Sequence, residues 1–250
     1  MDTNKTHFGF KQVNIDQKSQ LVKEIFSNVA GKYDLMNDLM SFGIHRNWKN
    51  KMVDKINLSR NCKIIDVAGG TADIAMRILK KPNALNLNCS IEVVDINPEM
   101  LAIGKQRAVD ANLFSQLNFT CGDGEKLPFL DQQFDFYSIA FGIRNFTNIE
   151  NGLIEAKRVL KKGGKFICLE FTKVEDYFLQ KIYDQYSFKI IPKIGEIILK
   201  DRNSYQYLVE SIRKFPHQNE FKKMLENAGF SNVSYQNLNF GIVAIFEGQA

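Results

Sequence analysis

This chain is sparing with cysteine, and the few it has are scattered. Cys62, Cys89, Cys121 and Cys168 are its four cysteines, and no two form a Cys-x-x-Cys pair. That spacing argues against a zinc site and, in a chain of 250 residues, against a disulfide framework. Each cysteine sits in or beside an apolar, strand-like run, so all four are expected to be buried thiols in a reducing compartment. Long hydrophobic runs are also missing. No stretch is long and apolar enough to span a bilayer, and the opening residues MDTNKTHFGFKQVN carry no apolar signal core. The expected location is cytoplasmic, with any membrane contact peripheral, on the inner face. There is no internal repeat and no low-complexity tract. Two phosphate-binding signatures are absent as well: neither Gly-x-Gly-x-x-Gly nor a Gly-Lys-Ser/Thr loop occurs, which disfavours a pyrophosphate cofactor. No Asn/Asp-Pro-Pro-aromatic motif and no basic stripe with interleaved aromatics is visible, so nucleic acid is not an expected partner. The net charge of +5 permits contact with an anionic surface without requiring one.

What is present is a packed α/β core. Hydrophobic residues make up 44% of the chain and charged residues 24%, which excludes disorder. Leu21, Val22, Ile25, Phe26, Val29 and Ala30 recur at helical spacing. Residues 1–16 before them read as a polar arm. Tyr33, Met36 and Met40 continue the stripe, Ser41–Gly43 breaks it, and Ile44, Trp48, Met52 and Ile56 mark a second amphipathic helix. From residue 63 the rhythm changes to strands alternating with helices. KIIDV, IEVVD, LNFTC and FDFYSIAF are four strands, and a fifth follows Gly163–Gly164. Alternation of this kind implies a Rossmann-like, mostly parallel, doubly wound sheet. The last 30 residues or so read helix, strand, turn, strand by the same logic, closing the sheet with an antiparallel strand. The expected division is an N-terminal arm and helical cap over 1–60 and a catalytic domain over 61–250, with a helical insertion at about 174–215.

In an open α/β sheet, ligands bind at the carboxyl ends of the strands near the switch point. The loops there read DVAGGTAD, VDINPEM, CGDGEKLPF and AFGIRNF. Gly69 and Gly70 let backbone approach a ligand closely. Asp95 ends the second strand. Its two oxygens suit the vicinal diol of a ribose; alternatively it caps the next helix. Asp123 can accept from an adenine amino group, with Gly124 leaving room for the ring, or it can simply form an Asx turn.

These stretches, with VAGKYDLMNDLMSFGIHRNWK, FGIRNF, RVLKKGGKF, YSFKIIPKIGEI and SYQYLVESI, resemble the ubiquinone/menaquinone biosynthesis C-methyltransferases (the UbiE/MenG type) from about residue 8 onward. The resemblance implies a class I methyltransferase fold. It implies transfer of a methyl group from S-adenosylmethionine to a ring carbon of a polyprenylated benzoquinol or demethylmenaquinol. By matching positions the resemblance makes Thr71, Asp95, Asp123 and Gly124 donor-binding residues, and Asp66, Gly69, Gly70, Ile96 and Ala140 complete the expected donor-binding set. Ala72 stands where the family usually has Gly, and its methyl is expected to be tolerated only at φ below zero. Ala140 stands where relatives often have Ser.

A quinol ring carbon becomes a better nucleophile when an adjacent ring hydroxyl loses or shares its proton. Arg144 is too basic to act as a general base. It either stabilises a developing phenolate or forms an ion pair at the sheet rim. Asn145 can orient a water or a ring oxygen, and Tyr33 can join the cluster; the resemblance implies these three as the catalytic group. His45 is expected to cap or pack. Asp34 and Asp38 lie one helical turn apart but lack an oxygen-ligand loop, so no metal is expected. Residues 187–201 mix apolar side chains with Lys189, Lys193 and Lys200. They can line a tunnel for a polyprenyl tail, touch a membrane, form a dimer contact, or be a helical flap with a solvated basic side. A homodimer or a quinone-synthesis complex is a further expected assembly.

Overall fold

The computed structural model describes residues 5–32, 43–174 and 202–250, with scattered positions between them. Lys5–Phe8 (β1) and Lys11–Asn14 (β2) pair as an antiparallel hairpin. The stretch read as a polar arm thus carries a hairpin that the sequence reading did not include. Such short polar strands have no pattern of their own to reveal them. What holds the hairpin is distant: Phe8 stacks on Tyr207 at 4.3 Å, and the Phe10 N–H donates to Glu210 Oε2 at 2.9 Å. Helix α1 follows over Ile15–Val29, and α2 spans His45–Asp54, both close to the predicted positions. Tyr33, Asp34, Met36 and Met40, and 187–201 apart from 191–194 and 196, lie outside the described residues.

The order then runs β3 (Lys63–Val67), α3 (Asp73–Leu79), β4 (Ser90–Asp95), α4 (Pro98–Asp110), β5 (Leu117–Cys121), β6 (Phe134–Ala140), α5 (Ile149–Val159) and β7 (Leu160–Phe171). Helices α6 (Arg202–Lys214) and α7 (Gln218–Asn227) precede β8 (Ser231–Leu238) and β9 (Val243–Gln249). Seven strands form one sheet in the order β5-β4-β3-β6-β7-β9-β8. All are parallel except β9, which runs antiparallel to both β7 and β8. The expected Rossmann-like class is the one observed.

The strands read as unbroken apolar runs because both faces are covered. Ile64 of β3, Ile167 and Leu169 of β7 and Val243 and Ile245 of β9 face one cluster with Trp48, Ile78 and Tyr205. Their neighbours Ile65, Phe166, Cys168, Ala244 and Phe246 face the other, with Leu153 and Phe221. Successive side chains on a strand point to opposite faces, so this alternation sorts the helices into two layers. Helices α2, α3, α4 and α6 contribute to the first, α5 and α7 to the second.

Three cysteines depart from expectation. Cys62 and Cys89 are joined as a disulfide, with Cα atoms 4.8 Å apart. They precede β3 and β4, whose parallel register pairs Lys63 with Ser90, so the preceding residues face each other too. Cys121 is exposed, and only Cys168 remains a buried free thiol. Among the described residues, no helix is long and apolar enough to cross a membrane.

Candidate active site

The sheet switches direction between β3 and β6, and the crevice opens at the carboxyl ends of the strands there, as the general rule requires. A cleft lies at this point. It brings together Asp66, Gly69, Gly70, Thr71, Asp95, Ile96, Asp123, Gly124, Ala140 and Asn145. Four loops far apart in sequence thus build one wall. Ser19, Val22, Lys23 and Phe26 of α1 and Lys49 of α2 supply the cover.

Asp95 has the arrangement a diol needs. Its Oδ2 accepts the Gly70 N–H at 2.9 Å and its Oδ1 the Asn97 N–H at 2.8 Å. The Ile96 N–H also bears on the carboxylate, and the acceptor capacity that remains is available to ligand hydroxyls. Capping of α4 falls to Asn97, whose side chain accepts from Glu99 N and Met100 N. Burial raises the Asp95 pKa to about 6 against the pull of its backbone donors. Asp66, in the strand end beside it, is buried. Its Oδ1 accepts the Ser138 hydroxyl at 2.7 Å, while Oδ2 has no partner. Burial lifts its pKa to about 7, with Asp73 and Asp95 adding to the rise.

The charge of the cleft separates two ligand classes. Five carboxylates line it (Asp66, Asp73, Asp95, Asp123 and Glu125) against two cations, Lys23 and Lys49. A pyrophosphate would be repelled there. A nucleoside carrying a sulfonium and an ammonium group would be attracted, and the orphaned Asp66 oxygen would gain the donor it lacks. The residues present therefore fit S-adenosylmethionine. Lys49 is 4% exposed at its side chain and donates to Asp73 Oδ2 at 2.8 Å. Burial alone would raise Asp73, but Lys49 and Arg77 outweigh it and hold its pKa low.

Ala72 differs from the sequence expectation, and Thr71, Gly124 and Asp123 have protein contacts of their own. Ala72 adopts φ +61° with its side chain fully buried, so its methyl sits in the left-handed region rather than at φ below zero. Thr71 is buried and its Oγ1 accepts from Arg107 Nη1 at 3.2 Å. Gly124 makes room for protein: a Cβ there would lie 2.5 Å from Phe146 Cζ and 2.9 Å from Val67 Cγ1. Asp123 does form the Asx turn, accepting the Glu125 N–H at 2.9 Å on Oδ1, and its Oδ2 is left for a ligand.

Beyond β6 the chain makes a single 3-10 turn over Ile143–Asn145. Arg144 is buried there, and Nη1 donates to Glu170 Oε1 at 2.7 Å and to the Phe141 carbonyl. Glu170 also accepts the Phe171 N–H at 2.8 Å and the Arg144 N–H at 3.3 Å. Arg144 Nε is buried without a partner, and the guanidinium lies 5.7 Å from the Phe171 ring centre. The ion-pair reading of Arg144 thus describes the geometry, and Glu170 is the partner sequence reasoning missed. Its signal was an acid inside an apolar strand, ICLEF. Tyr207, also missed, donates from its hydroxyl to Asn145 Oδ1 at 3.0 Å. Arg144 and Tyr207 line a second cavity with Lys18, which adjoins Asn145's cleft through the shared lining of Phe146 and Thr147.

His45 is buried away from the cleft lining, 2.8 Å from Asp38 Oδ1 through Nε2. Burial lowers its pKa, with Lys49 adding to the effect. Asp38 also binds Arg46. Among the described residues no group of three His, Cys, Asp or Glu side chains is arranged to hold a metal ion.

Residues 13–250 match the ubiE/COQ5 methyltransferase family. The chain belongs to that family. A relative from Rickettsia bellii (strain RML369-C), named "Ubiquinone/menaquinone biosynthesis C-methyltransferase UbiE", is 54% identical over 97% of both chains. Among solved structures, the [4+2]-cyclase SpnF superposes with a TM-score of 0.68 at 15% identity, over 92% of this chain and 95% of that one. A Thermotoga maritima protein described as a SAM-dependent methyltransferase, possible histamine N-methyltransferase, gives 0.60 at 20% identity, over 90% and 98%. These two likenesses concern the fold. A cyclase on it illustrates that function resides in the site.

Proposed function

We propose that this protein transfers a methyl group from S-adenosylmethionine to a ring carbon of a polyprenylated quinol, a benzoquinol of ubiquinone synthesis, a demethylmenaquinol, or both. The observation that carries this reading is the near full-length identity of 54% to a curated ubiquinone/menaquinone biosynthesis C-methyltransferase, supported by an acidic, diol-ready cleft. Asp95 holds the ribose hydroxyls of the donor, Asp123 its adenine amino group, and Asp66 its ammonium. The donor supplies an electrophilic methyl group on sulfur. The chain's own task is to hold a ring carbon in line with that bond and to lower the cost of charge on the ring oxygen.

Arg144 carries the second task. Its guanidinium remains charged at any working pH, and Glu170 fixes its plane. Nη1 is occupied and Nε is buried, which leaves Nη2 as the donor for a ring oxygen. Asn145, on the cleft lining, orients the acceptor or a water beside it. Tyr33 is the third member of this proposed group. The isoprenoid tail confines the substrate to a membrane. The protein therefore meets it there by peripheral contact on the inner face, with 187–201 as the contacting or tail-binding segment. Assembly as a homodimer or within a quinone-synthesis complex would serve the same need.

The test is a methylation assay with purified protein, S-adenosylmethionine and each demethylated quinol, read by mass spectrometry. Methylated product from at least one quinol is expected, and none from either would overturn the proposal. Arg144→Ala should keep donor affinity and lose most of the turnover; a fully active variant would remove Arg144 from the mechanism.

A further inference from the structure

Asn145 lines the donor cleft, and its amide has two ends that can face a ligand with opposite polarity. Something must choose between them. The Tyr207 hydroxyl donates to Asn145 Oδ1 at 3.0 Å. Tyr207 is 5% exposed, and burial pushes its pKa well above the usual phenol value, so the hydroxyl keeps its proton and remains a donor. This commits the amide oxygen and leaves the Nδ2 hydrogens as what Asn145 can offer a quinol oxygen or a water. Tyr207 is itself fixed. Its ring stacks on Phe8 at 4.3 Å with a 23° interplanar angle. Phe8 belongs to β1, whose Thr6 hydroxyl donates to the Thr147 carbonyl at 3.2 Å, two residues beyond Asn145. The hairpin therefore grips both Tyr207 and the segment carrying the Arg144–Asn145 pair.

We propose that Tyr207 is a positioning residue for methyl transfer: held by Phe8, it sets the amide of Asn145 so that this side chain acts as a hydrogen-bond donor toward the acceptor. The inference rests on the proposed contact between Asn145 and the acceptor. It gives the N-terminal hairpin a role in the reaction, although its strands contribute no side chain to the donor cleft.

The test compares Tyr207→Phe, Asn145→Ala and the double variant. Tyr207→Phe keeps the ring on Phe8 and removes one hydrogen bond, so melting temperature and calorimetric donor affinity should match the parent. Turnover of the quinol should fall about tenfold, the effect of misorienting one hydrogen-bonding group. In the Asn145→Ala background the same change should cost nothing further, because the oriented group is gone. If Asn145→Ala is fully active, the underlying reading of Asn145 fails. If Asn145→Ala is impaired while Tyr207→Phe is not, or if the two losses multiply, the positioning role fails. A parallel loss of donor affinity or melting temperature in Tyr207→Phe would also overturn it, as the mark of a purely structural contact.

Discussion

Replacing Asp66 by asparagine should stabilise the protein at pH 8 and destabilise it at pH 4. The carboxyl is 1% exposed, its Oδ2 has no partner, and burial together with Asp73 and Asp95 raises its pKa from 3.8 to about 7. The folded state therefore holds this proton more tightly than the unfolded chain does. The resulting stability is fully present below pH 3.8 and is lost as pH rises through about 7. At roughly 1.4 kcal/mol per pH unit, the loss across that window is about 4 kcal/mol. Asparagine keeps an acceptor for the Ser138 hydroxyl but cannot ionise. Its amide nitrogen takes the place of the unpartnered Oδ2, at a cost of about 1–3 kcal/mol. The variant should then be about 1–3 kcal/mol more stable than the parent at pH 8 and less stable by a similar amount at pH 4. Glu125 titrates in both proteins and cancels in the difference, whereas Asp95, whose charge helps raise Asp66, cancels only in part. The measurement is urea unfolding of both proteins at pH 4, 6 and 8 without methyl donor. A stability difference that stays constant across pH would refute the reasoning, because no titration of Asp66 could then be coupled to folding.

Three other changes probe separate parts of the site. Asp95→Ala removes the carboxylate offered to a diol, and calorimetry should show donor affinity falling at least tenfold, given about 1.5–3 kcal/mol for a charged hydrogen bond; unchanged affinity would end the ribose assignment. Glu170→Gln breaks a buried ion pair, leaving Arg144 uncompensated, and should cost about 3–5 kcal/mol in urea unfolding; a cost below about 1 kcal/mol would mean the pair is not desolvated as its burial indicates. Gly124→Ala should cost about 1–3 kcal/mol by overpacking against Phe146, and Phe146→Leu in the same chain should recover part of that loss; an unchanged melting curve for Gly124→Ala would show that the turn yields freely.

Much of the fold was legible because its signals are local. An apolar run such as KIIDV needs only its neighbours to read as a strand buried on both faces, and Asn97 with Pro98 marks the start of α4 within three residues. Loops following such strands then fall at the crevice by topology alone, which is how Asp95 was found. What stayed hidden depends on distance. The hairpin at 5–14 is held by residues of α6 about 200 positions away. The Cys62–Cys89 pairing follows from the register of two parallel strands, which no spacing rule reveals. Ala72 breaks a local rule outright: a left-handed alanine costs about 1–2 kcal/mol. That strain sits in the tight loop facing the donor cleft, where Ala68 also has φ +50°. Backbone strain of this kind collects at functional sites when the surrounding structure over-determines it.

The least legible property of the site is that its two halves are one mechanical unit. The loop after β5 and the turn after β6 read as separate motifs, GDGEKLPF and FGIRNF. In the structure Glu125, from the first, accepts the N–H groups of Thr147 and Asn148 at the end of the second. Phe146 packs where Cβ atoms of Gly124 and Gly152 would otherwise stand. Lys18 of α1 closes the unit from outside, donating to the Phe146 carbonyl at 2.6 Å. Burial lowers the pKa of this lysine to about 8, opposed by Glu125. A ligand that orders the loop around Asp123 must therefore also order the turn bearing Arg144 and Asn145. Under the proposed roles, donor binding and acceptor alignment share these contacts, because Phe146 sits where Cβ atoms of both glycines would stand.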